Sequence, residues 1–428
     1  MAKQDLIIGI FGLGTVGSGV VELIQQQANR LQSKYGLKVT LKAVVVRKIS
    51  PDRVSLTSPA VLSTDPAIIL EDKEINTVIE VIGGIHPAKE YILRALQSHK
   101  NVITANKALL AECGVELFEA ALRHKCYFGF RAAVTGLQDM LERFYSSISI
   151  TNIAGVFNGT CNYILTDMEE KGEEFSEALK KAQAAGYAEQ DPTLDINGQD
   201  TADKLAIIST LAFNSPVQRK DIYTEGIERI SLDDIRFARE LGYKIKLLGI
   251  AGCDGKEIEA KVYPCLIPAD NILASLKGVE NGIQIDDELR GPGGFKAPGA
   301  GKYPTGNAVL FDIINLSNDN PTYIPKEFVY LPVKKIEQMK NQYYLRVAAV
   351  NQPGVLARIA GVFQLHDINI LSVLQERDNK DKRGEVVPLV IITDTAGEKS
   401  MQKAVADIES LAIIKGQATL LRVEERFW

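Results

Sequence analysis

The chain begins with an apolar run that leads straight into a glycine-rich turn. Residues 6–11 (LIIGIF) predict a buried strand, residues 12–17 read GLGTVG, and the apolar spacing of a helix follows. Gly12 lets the chain turn sharply, Gly14 lets the backbone approach a phosphate, and Gly17 lets the helix pack closely on the strand. The amide groups at the helix N-terminus then face an anion. This order of parts predicts a dinucleotide-binding site, and a purely structural glycine turn is the alternative.

The composition is that of an ordinary soluble protein and limits the classes of partner. The 428 residues suggest two to three domains. A net charge of −5 without a basic stripe argues against nucleic acid, and no apolar run approaches the ~20 residues of a membrane span. The five scattered cysteines form no CxxC pair, which favours reduced thiols in a cytoplasmic protein, and the N-terminus does not read as a signal peptide. The four histidines have no metal-ligand spacing, so we expect no metal.

The first 135 residues alternate strand and helix. Further strands are predicted over residues 39–46, 77–82 and 101–104, with helices between them, such as 87–97. This alternation predicts an α/β fold with a Rossmann-type, doubly wound parallel sheet. From about residue 148 the pattern becomes α+β. Residues 291–306 are rich in glycine and proline and predict a loop, after which a helix is expected over 307–316.

The C-terminal 85 or so residues have their own pattern. A linker is expected near residues 321–340. Strand, helix, strand, strand, helix and strand follow, which is the ferredoxin-like βαββαβ arrangement. The elements in order are residues 343–350, a helix from 353, 368–375, 385–393, 401–411 and 419–423.

Charge at the end of the second strand bears on the choice of cofactor. That strand ends in Arg47-Lys48, whereas a carboxylate there would accept hydrogen bonds from the ribose hydroxyls of NAD. A guanidinium pairs with a 2′-phosphate, so NADP is favoured. The alternatives are that NAD is the cofactor, or that the two basic residues lie on a solvent-exposed turn and do not contact the cofactor. Glu80 ends a strand just before Gly83-Gly84, and Lys107 follows another strand. Ligands bind at this carboxyl edge of such sheets, although Lys107 could also be an ordinary surface lysine.

The densest polar cluster lies between residues 186 and 200, and Lys204 follows it. Asp200 and Lys204 are one turn apart on a predicted helix face, beside an apolar stripe that includes Leu205 and Ile208. A lysine near an apolar wall has its ammonium form destabilised, which suits proton transfer, and nearby carboxylates suit an amino-acid ammonium group. An ordinary i,i+4 ion pair, or a solvated loop with Asp200 as a helix cap, is the alternative.

Over nearly its whole length the chain resembles homoserine dehydrogenase of the long bacterial type, which carries a C-terminal ACT domain. The motifs that carry the resemblance are residues 12–17 (GLGTVG), Gly83-Gly84, 104–107 (TANK), 158–165 (NGTCNYIL), the segment 186–204, Gly299-Ala300-Gly301 and Pro304-Thr305. The resemblance implies an NAD(P)-binding domain over residues 1–135, to which a helix over 304–318 returns. It also implies an α+β substrate-binding and dimerisation domain over 136–320, a linker over 321–342 and an ACT domain over 343–428.

The resemblance further implies interconversion of L-homoserine and L-aspartate 4-semialdehyde with NAD(P)H, in the threonine, methionine and isoleucine branch of aspartate-family biosynthesis. Lys204 would exchange the proton at the reacting oxygen, and Lys107 would share that work between cofactor and substrate. The residues expected to hold the substrate are Asp200, Glu189, Asp195 and Tyr187. Those expected at the cofactor are Gly12, Gly14, Thr15, Val16, Gly17, Arg47, Lys48, Gly83, Lys107, Gly186 and Gly301.

The ACT-like segment implies an amino-acid effector, such as threonine, at a strand-to-helix turn. The expected effector residues are Asn351, Gly354, Val355 and Leu356. Asn351 stands where the family usually has an aspartate, and an amide binds an ammonium group less strongly than a carboxylate does. The resemblance also implies a homodimer or homotetramer formed through the middle region.

One departure concerns Arg131, which stands where relatives carry a glutamate that helps hold a monovalent cation. Our hypothesis is that its guanidinium takes the place of that ion by donating to backbone carbonyls. The competing hypothesis is a weakened or repurposed active site. Two other functions stay open on the residues: a regulatory paralogue that binds cofactor and effector, and a dehydrogenase for another short amino-acid semialdehyde.

Overall fold

The computed structural model describes residues 5–134, 150–289, 291–298, 302–318, 323–375 and 384–425. The chain divides into two compact units. The first comprises Met1–Ile150, Asp203–Arg219 and Ala297–Leu331, and the second comprises Thr151–Ala202, Lys220–Lys296 and Pro332–Trp428. Among the described residues, no helix is both long and apolar enough to cross a bilayer.

The strands in chain order are β1 (Leu6–Phe11), β2 (Val39–Val45), β3 (Val61–Ser63), β4 (Thr77–Glu80), β5 (Asn101–Thr104), β6 (Phe128–Gly129), β7 (Ile150–Val156), β8 (Tyr223–Thr224), β9 (Tyr243–Cys253), β10 (Ile258–Pro268), β11 (Glu280–Asp287), β12 (Gly291–Pro298), β13 (Lys340–Val350), β14 (Ile370–Gln375), β15 (Val386–Thr393), β16 (Ala396–Gly397) and β17 (Thr419–Val423). The helices are α1 (Thr15–Arg30), α2 (Pro51–Thr57), α3 (Ala67–Leu70), α4 (Ala88–Gln97), α5 (Lys107–His124), α6 (Gly159–Lys171), α7 (Phe175–Ala184), α8 (Thr193–Ile196), α9 (Gln199–Ala212), α10 (Leu232–Glu240), α11 (Lys302–Ser317), α12 (Val355–Leu365) and α13 (Glu398–Glu409).

The first unit is built on a parallel sheet of six strands in the order β3-β2-β1-β4-β5-β6. This order confirms the predicted doubly wound sheet, in which the ligand crevice lies where the strand order reverses, next to β1. Apolar residues of β1, such as Ile8 and Ile10, are fully buried in its core. Val309 and Ile313 of α11 join the same core.

The second unit is built on a mixed sheet whose strands follow the order β12-β11-β7-β9-β10-β17-β13-β15-β14. The C-terminal βαββαβ module supplies β13, β14, β15 and β17, as predicted, and the two-residue strand β16 pairs with β13 just before α13. Its last strand, β17, pairs with β13 inside the module and, in parallel register, with β10 outside it: Cys265 lies opposite Arg422 and Leu266 opposite Val423. The module therefore continues the sheet of the preceding domain.

The loop predicted over residues 291–306 is wrong. Gly291–Pro298 form strand β12, and α11 begins at Lys302. β12 lies at one end of the sheet, where prolines are tolerated because one side of the strand needs no hydrogen-bonding partner. A side chain at Gly282 of the neighbouring strand β11 would come within 3.1 Å of the Phe295 carbonyl oxygen, so the two backbones pack closely. Pairing with β11 overrides the weak local preference of a glycine-rich sequence.

Candidate active site

The glycine turn after β1 has the geometry that a pyrophosphate requires. Gly12 has a φ of +103°, and a Cβ there would lie 2.7 Å from the Val81 carbonyl oxygen. A Cβ at Gly17 would lie 2.3 Å from the Gly12 carbonyl oxygen, so only glycine allows α1 to start this close to the strand. Gly14, which precedes α1, faces open space and has no side chain that could cap the helix. The first amide groups of α1 are thus suited to an anion, with Thr15 and Val16 beside them.

Arg47 and Lys48 lie at the same edge of the sheet as this turn. They follow the end of β2, which pairs in parallel with β1, and the Gly12 amide donates to the Val45 carbonyl at 2.9 Å. Both basic side chains are exposed. The two residues predicted to contact the ribose, Arg47 and Lys48, are therefore cations at the same edge of the sheet as the phosphate-binding turn.

Glu80 organises the carboxyl edge of β4 and β5. Its side chain is buried and accepts hydrogen bonds from the Thr104 hydroxyl at 2.6 Å, the Ile82 amide at 2.8 Å and the Gly83 amide at 3.3 Å. Burial raises the pKa of this carboxyl, and the donated hydrogen bonds oppose the rise. Glu80 was noted in the sequence only as a strand-end acid, and the structure gives it a positioning role.

Lys107 begins α5 directly after this network. Asn106 caps the helix, because its side-chain oxygen accepts from the Leu109 amide at 3.2 Å, and its side-chain nitrogen donates to the Gly84 carbonyl at 2.6 Å. Gly83 and Gly84 have φ values of +79° and +73°, which favour glycine. The structure thus brings Lys107 and the Gly83-Gly84 turn to one edge of the sheet.

In the second unit, Asn158 holds two of the predicted carboxylates together. Its side-chain nitrogen donates to Asp195 Oδ1 at 2.8 Å and to Asp200 Oδ2 at 2.9 Å. Its side-chain oxygen accepts from the Cys161 amide at 2.8 Å and so caps α6. Asp200 is buried and Asp195 is half-buried. Two carboxylates that share one amide donor form a site suited to an ammonium group.

The remaining predicted substrate residues lie on the segment before α8. Gly186 has a φ of +74°, and Tyr187 is exposed, while its carbonyl accepts from the Thr160 hydroxyl at 2.7 Å. The Glu189 side chain is exposed. Gly301, predicted at the cofactor, lies outside the described residues. Sequence reasoning missed Asn158 as a functional residue, although its position at a strand-to-helix junction before Gly159-Thr160 is a typical helix-cap signal.

Lys204 lies in α9, four residues after Asp200 in the same helix. It is only 4% exposed, so its side chain is not turned to bulk water. Its neighbours Leu205 and Ile208 are fully buried, as the apolar stripe predicted. A buried amine one helical turn from a carboxylate is a candidate for proton transfer to a bound substrate.

Arg131 is buried in the first unit and forms an ion pair with Asp312 of α11. Its Nη1 lies 2.6 Å from Asp312 Oδ1, and its backbone amide donates to Oδ2 at 3.1 Å. With its amide oxygen toward the guanidinium, Asn315 accepts from Nη2 at 3.1 Å. Burial raises the pKa of the Asp312 carboxyl, and the Arg131 guanidinium and the hydrogen bonds donated to the carboxyl oppose the rise. Whether Arg131 takes the place of a cation stays a prediction.

Of the four expected effector residues, Asn351 and Gly354 lie in the turn from β13 to α12, and Val355 and Leu356 are the first two residues of α12. Asn351 donates its backbone amide to the Glu385 carbonyl at 2.8 Å, and Gly354 has a φ of +85° just before the helix. Val355 is buried, whereas Leu356 is exposed. The turn therefore presents backbone groups and one apolar side chain at the start of α12.

Comparisons with known proteins agree with the resemblance found in the sequence. Family models described as homoserine dehydrogenase, its NAD-binding domain and the ACT domain match residues 137–314, 12–131 and 343–412, respectively. A homoserine dehydrogenase of Synechocystis is 37% identical over 97% of this chain and 99% of its own length, and that of Neisseria gonorrhoeae is 35% identical over 97% and 98%. The solved structure of a homoserine dehydrogenase from Thiobacillus denitrificans has a TM-score of 0.89 at 36% identity and covers 98% of both chains. The chain therefore belongs to the homoserine dehydrogenase family, the oxidoreductases that interconvert L-homoserine and L-aspartate 4-semialdehyde with a nicotinamide cofactor.

Proposed function

We propose that this chain reduces L-aspartate 4-semialdehyde to L-homoserine, and catalyses the reverse reaction, with Lys204 as the proton donor and acceptor. The observation that carries the proposal is the pair of carboxylates held by Asn158, followed one helical turn later by a buried lysine. When bound, the nicotinamide cofactor supplies the hydride. The Lys204 ammonium stabilises the alkoxide that forms at the aldehyde oxygen and protonates it.

The other site residues bind and orient the substrate. Asp200 and Glu189 receive the substrate ammonium group, with Asp195 and Tyr187 beside them. Asn158 acts through the two aspartates, because it holds both in one orientation. In this proposal Lys107, the first residue of α5, shares the proton transfer.

NADP is the preferred cofactor in this proposal. The residues that would hold it, besides Gly12, Gly14 and Gly17, are Thr15, Val16, Arg47, Lys48, Gly83, Gly186 and Gly301. The support is the charge at the end of β2, where Arg47 and Lys48 are exposed and a 2′-phosphate would meet cations. NAD stays as the alternative.

We also propose an amino-acid effector, such as threonine, at Asn351, Gly354, Val355 and Leu356, and a cytoplasmic homodimer or homotetramer formed through residues 136–320. The matched ACT domain supports the effector. Membership of the homoserine dehydrogenase family supports the proposed homodimer or homotetramer.

The test is the absorbance of NADPH and, in parallel, NADH with purified protein and aspartate semialdehyde. Turnover with NADPH is expected, and Lys204→Met should lower kcat by about 10²- to 10⁴-fold while the affinity for NADPH is unchanged. Lys180→Met, at an exposed lysine of α7, is the matched control and should keep wild-type kcat. NADPH binding without turnover of this aldehyde would favour the regulatory paralogue, and turnover of another short amino-acid semialdehyde alone would reassign the substrate.

A further inference from the structure

A cavity of about 530 Å³ lies between the ACT domain and the preceding domain, inside the second unit. One wall is the segment 223–230, and the other is formed by α13 and the segment 417–422. It is separate from the turn that begins α12, which contributes no residue to its lining. The cavity falls within the size range of small-molecule sites.

The floor of the cavity is a buried ionic network centred on Arg422. Arg422 is fully buried; its Nη1 donates to Glu225 Oε2 at 2.6 Å and its Nη2 to Glu398 Oε1 at 2.5 Å. The Tyr223 hydroxyl donates to the other oxygen of Glu225. One guanidinium is thus shared by two carboxylates, which leaves the floor with an excess negative charge.

The rim carries one cation and two further carboxylates. Arg229, Glu228 and Glu409 line the cavity and are exposed. Within the described part of the chain, Arg229 and Glu228 have no ion pair or side-chain hydrogen bond, so both charged groups are open to a ligand. A guanidinium pairs with a carboxylate in a planar, two-pronged geometry, and carboxylates accept from an ammonium group. Together they match the two charged groups of an α-amino acid.

The segment 223–230, which forms one wall of the cavity, also contacts residues 196–198, which lie in the loop proposed to hold the substrate. The Ile227 amide donates to the Ile196 carbonyl at 2.8 Å. A Cβ at Gly226 would lie 2.2 Å from the same carbonyl oxygen, and a Cβ at Gly198 would lie 2.9 Å from the Glu225 carbonyl oxygen. The two segments therefore touch through their backbones. Residues 196–198 lie between the two aspartates that Asn158 holds, so a shift of the wall moves that loop directly.

We propose that this cavity is a second amino-acid site, which binds an uncharged α-amino acid between Arg229 and the carboxylates of the rim. Binding there biases the loop that carries Asp195 and Asp200. The coupling rests on the proposed function, because it assigns those aspartates to the substrate. Binding itself needs neither cofactor nor turnover.

Binding is tested by calorimetric titration of the full-length resting enzyme with each uncharged proteinogenic L-α-amino acid. At least one should bind, and its analogues without the carboxylate or without the ammonium group should bind about ten- to hundredfold more weakly. Arg229→Gln and Glu228→Gln should weaken binding to the same extent. Arg239→Gln and Glu240→Gln, at exposed positions of α10 outside the cavity, are matched controls and should bind as the wild type does.

Any of three results would overturn the proposal. They are the absence of binding, unchanged binding in both cavity variants, and equal binding of the analogue that lacks the carboxylate. Coupling is measured by hydrogen exchange of peptides covering residues 192–204. Exchange should change on addition of the amino acid in the wild type and stay constant in Arg229→Gln at the same concentration. Unchanged exchange in the wild type would contradict the coupling, and absent turnover with intact binding would contradict only the proposed function.

Discussion

At the scale of single residues, Arg131 is a charged side chain in an environment unusual for arginine. It is 1% exposed and shares the interior of the first unit with the fully buried Asp312. A buried ion pair adds little net stability compared with apolar residues of the same volume, but removing one partner leaves the other charge buried without its neutralising partner. The pair therefore makes the two positions strongly dependent on each other.

We expect Arg131→Met to lower the free energy of unfolding by about 3–5 kcal/mol at pH 7, because the Asp312 carboxylate loses its neutralising cation. The double variant Arg131→Met/Asp312→Asn should recover much of the loss, since no charge is then left in the core. Urea unfolding of the wild type, both single variants and the double variant measures the coupling. Additive effects of the two substitutions would contradict it.

Some of these residues could be predicted from sequence and others could not. Gly12 and Gly17 were recognisable because the strand, turn and helix of the motif that requires them are contiguous in the sequence. The partners of Arg131 and Glu80 were not, since Asp312 lies 181 residues from Arg131 and Thr104 lies 24 from Glu80. Long-range hydrogen bonds leave no periodic signal in the chain.

At the scale of elements, strand β9 contains a buried cation that the proposed mechanism does not use. Lys246 is 2% exposed and donates to Asn162 Oδ1 of α6 at 2.8 Å and to the Leu276 carbonyl at 2.6 Å. Burial lowers the pKa of Lys246 to about 8 from its usual 10.5. The lysine thus ties β9 to α6 and to the segment before β11, at the cost of a desolvated ammonium group below pH 8.

The lowered pKa of Lys246 predicts how stability depends on pH. Between about pH 8 and 10.5 the unfolded chain binds more protons at this site than the folded chain, so the free energy of unfolding rises with pH. In Lys246→Met this contribution should disappear, and the difference between wild type and variant should change by about 3 kcal/mol across that window. Chemical denaturation at several pH values measures it.

The exposed Lys256 offers the matched control, because Lys256→Met should follow the wild-type pH dependence throughout. The loss of the two hydrogen bonds in Lys246→Met lowers stability by a constant amount and does not alter the slope. A wild type and Lys246→Met with parallel curves from pH 7 to 10.5 would show that the buried amine does not titrate in this window.

Element prediction was strongest where pattern and pairing agree. β1, β5 and β17 have the predicted bounds because each is a short apolar run with a polar or glycine boundary. β12 was missed because its glycines and prolines carry no strand preference and its partner β11 supplies the hydrogen bonds. The pairing of this module with β10, through β17, could not be predicted, because neither strand carries a local signal that identifies a partner so distant in sequence.

At the scale of the whole molecule, the ACT domain shares a sheet with its neighbour. Buried polar contacts cross the junction: the Tyr263 hydroxyl donates to Glu424 Oε1 at 2.5 Å, and Lys261 Nζ lies 3.2 Å from the same oxygen. Arg346 of β13 also pairs with Asp234 of α10, with Nε 2.6 Å from Oδ1. An ACT domain attached only through a flexible linker would have none of these contacts.

We expect deletion of residues 418–428 to destabilise the whole second unit and not the ACT domain alone. The deletion removes β17 from the middle of the sheet, exposes the edges of β10 and β13, and takes Glu424 away from Lys261. Scanning calorimetry should show a melting temperature lower by about 10 °C or more, or an insoluble product. A soluble truncated chain with the wild-type melting temperature would contradict the shared sheet.

The position of β17 has a consequence for biosynthesis. β17, which joins the two halves of this sheet, follows both β10 and β13 in the chain, so both strands are synthesised before their common neighbour. A nascent chain or a product of premature termination presents two open strand edges, the kind of surface that chaperones and proteases recognise. Closure of this sheet therefore waits for β17, and a chain that stops before this strand is left open to removal.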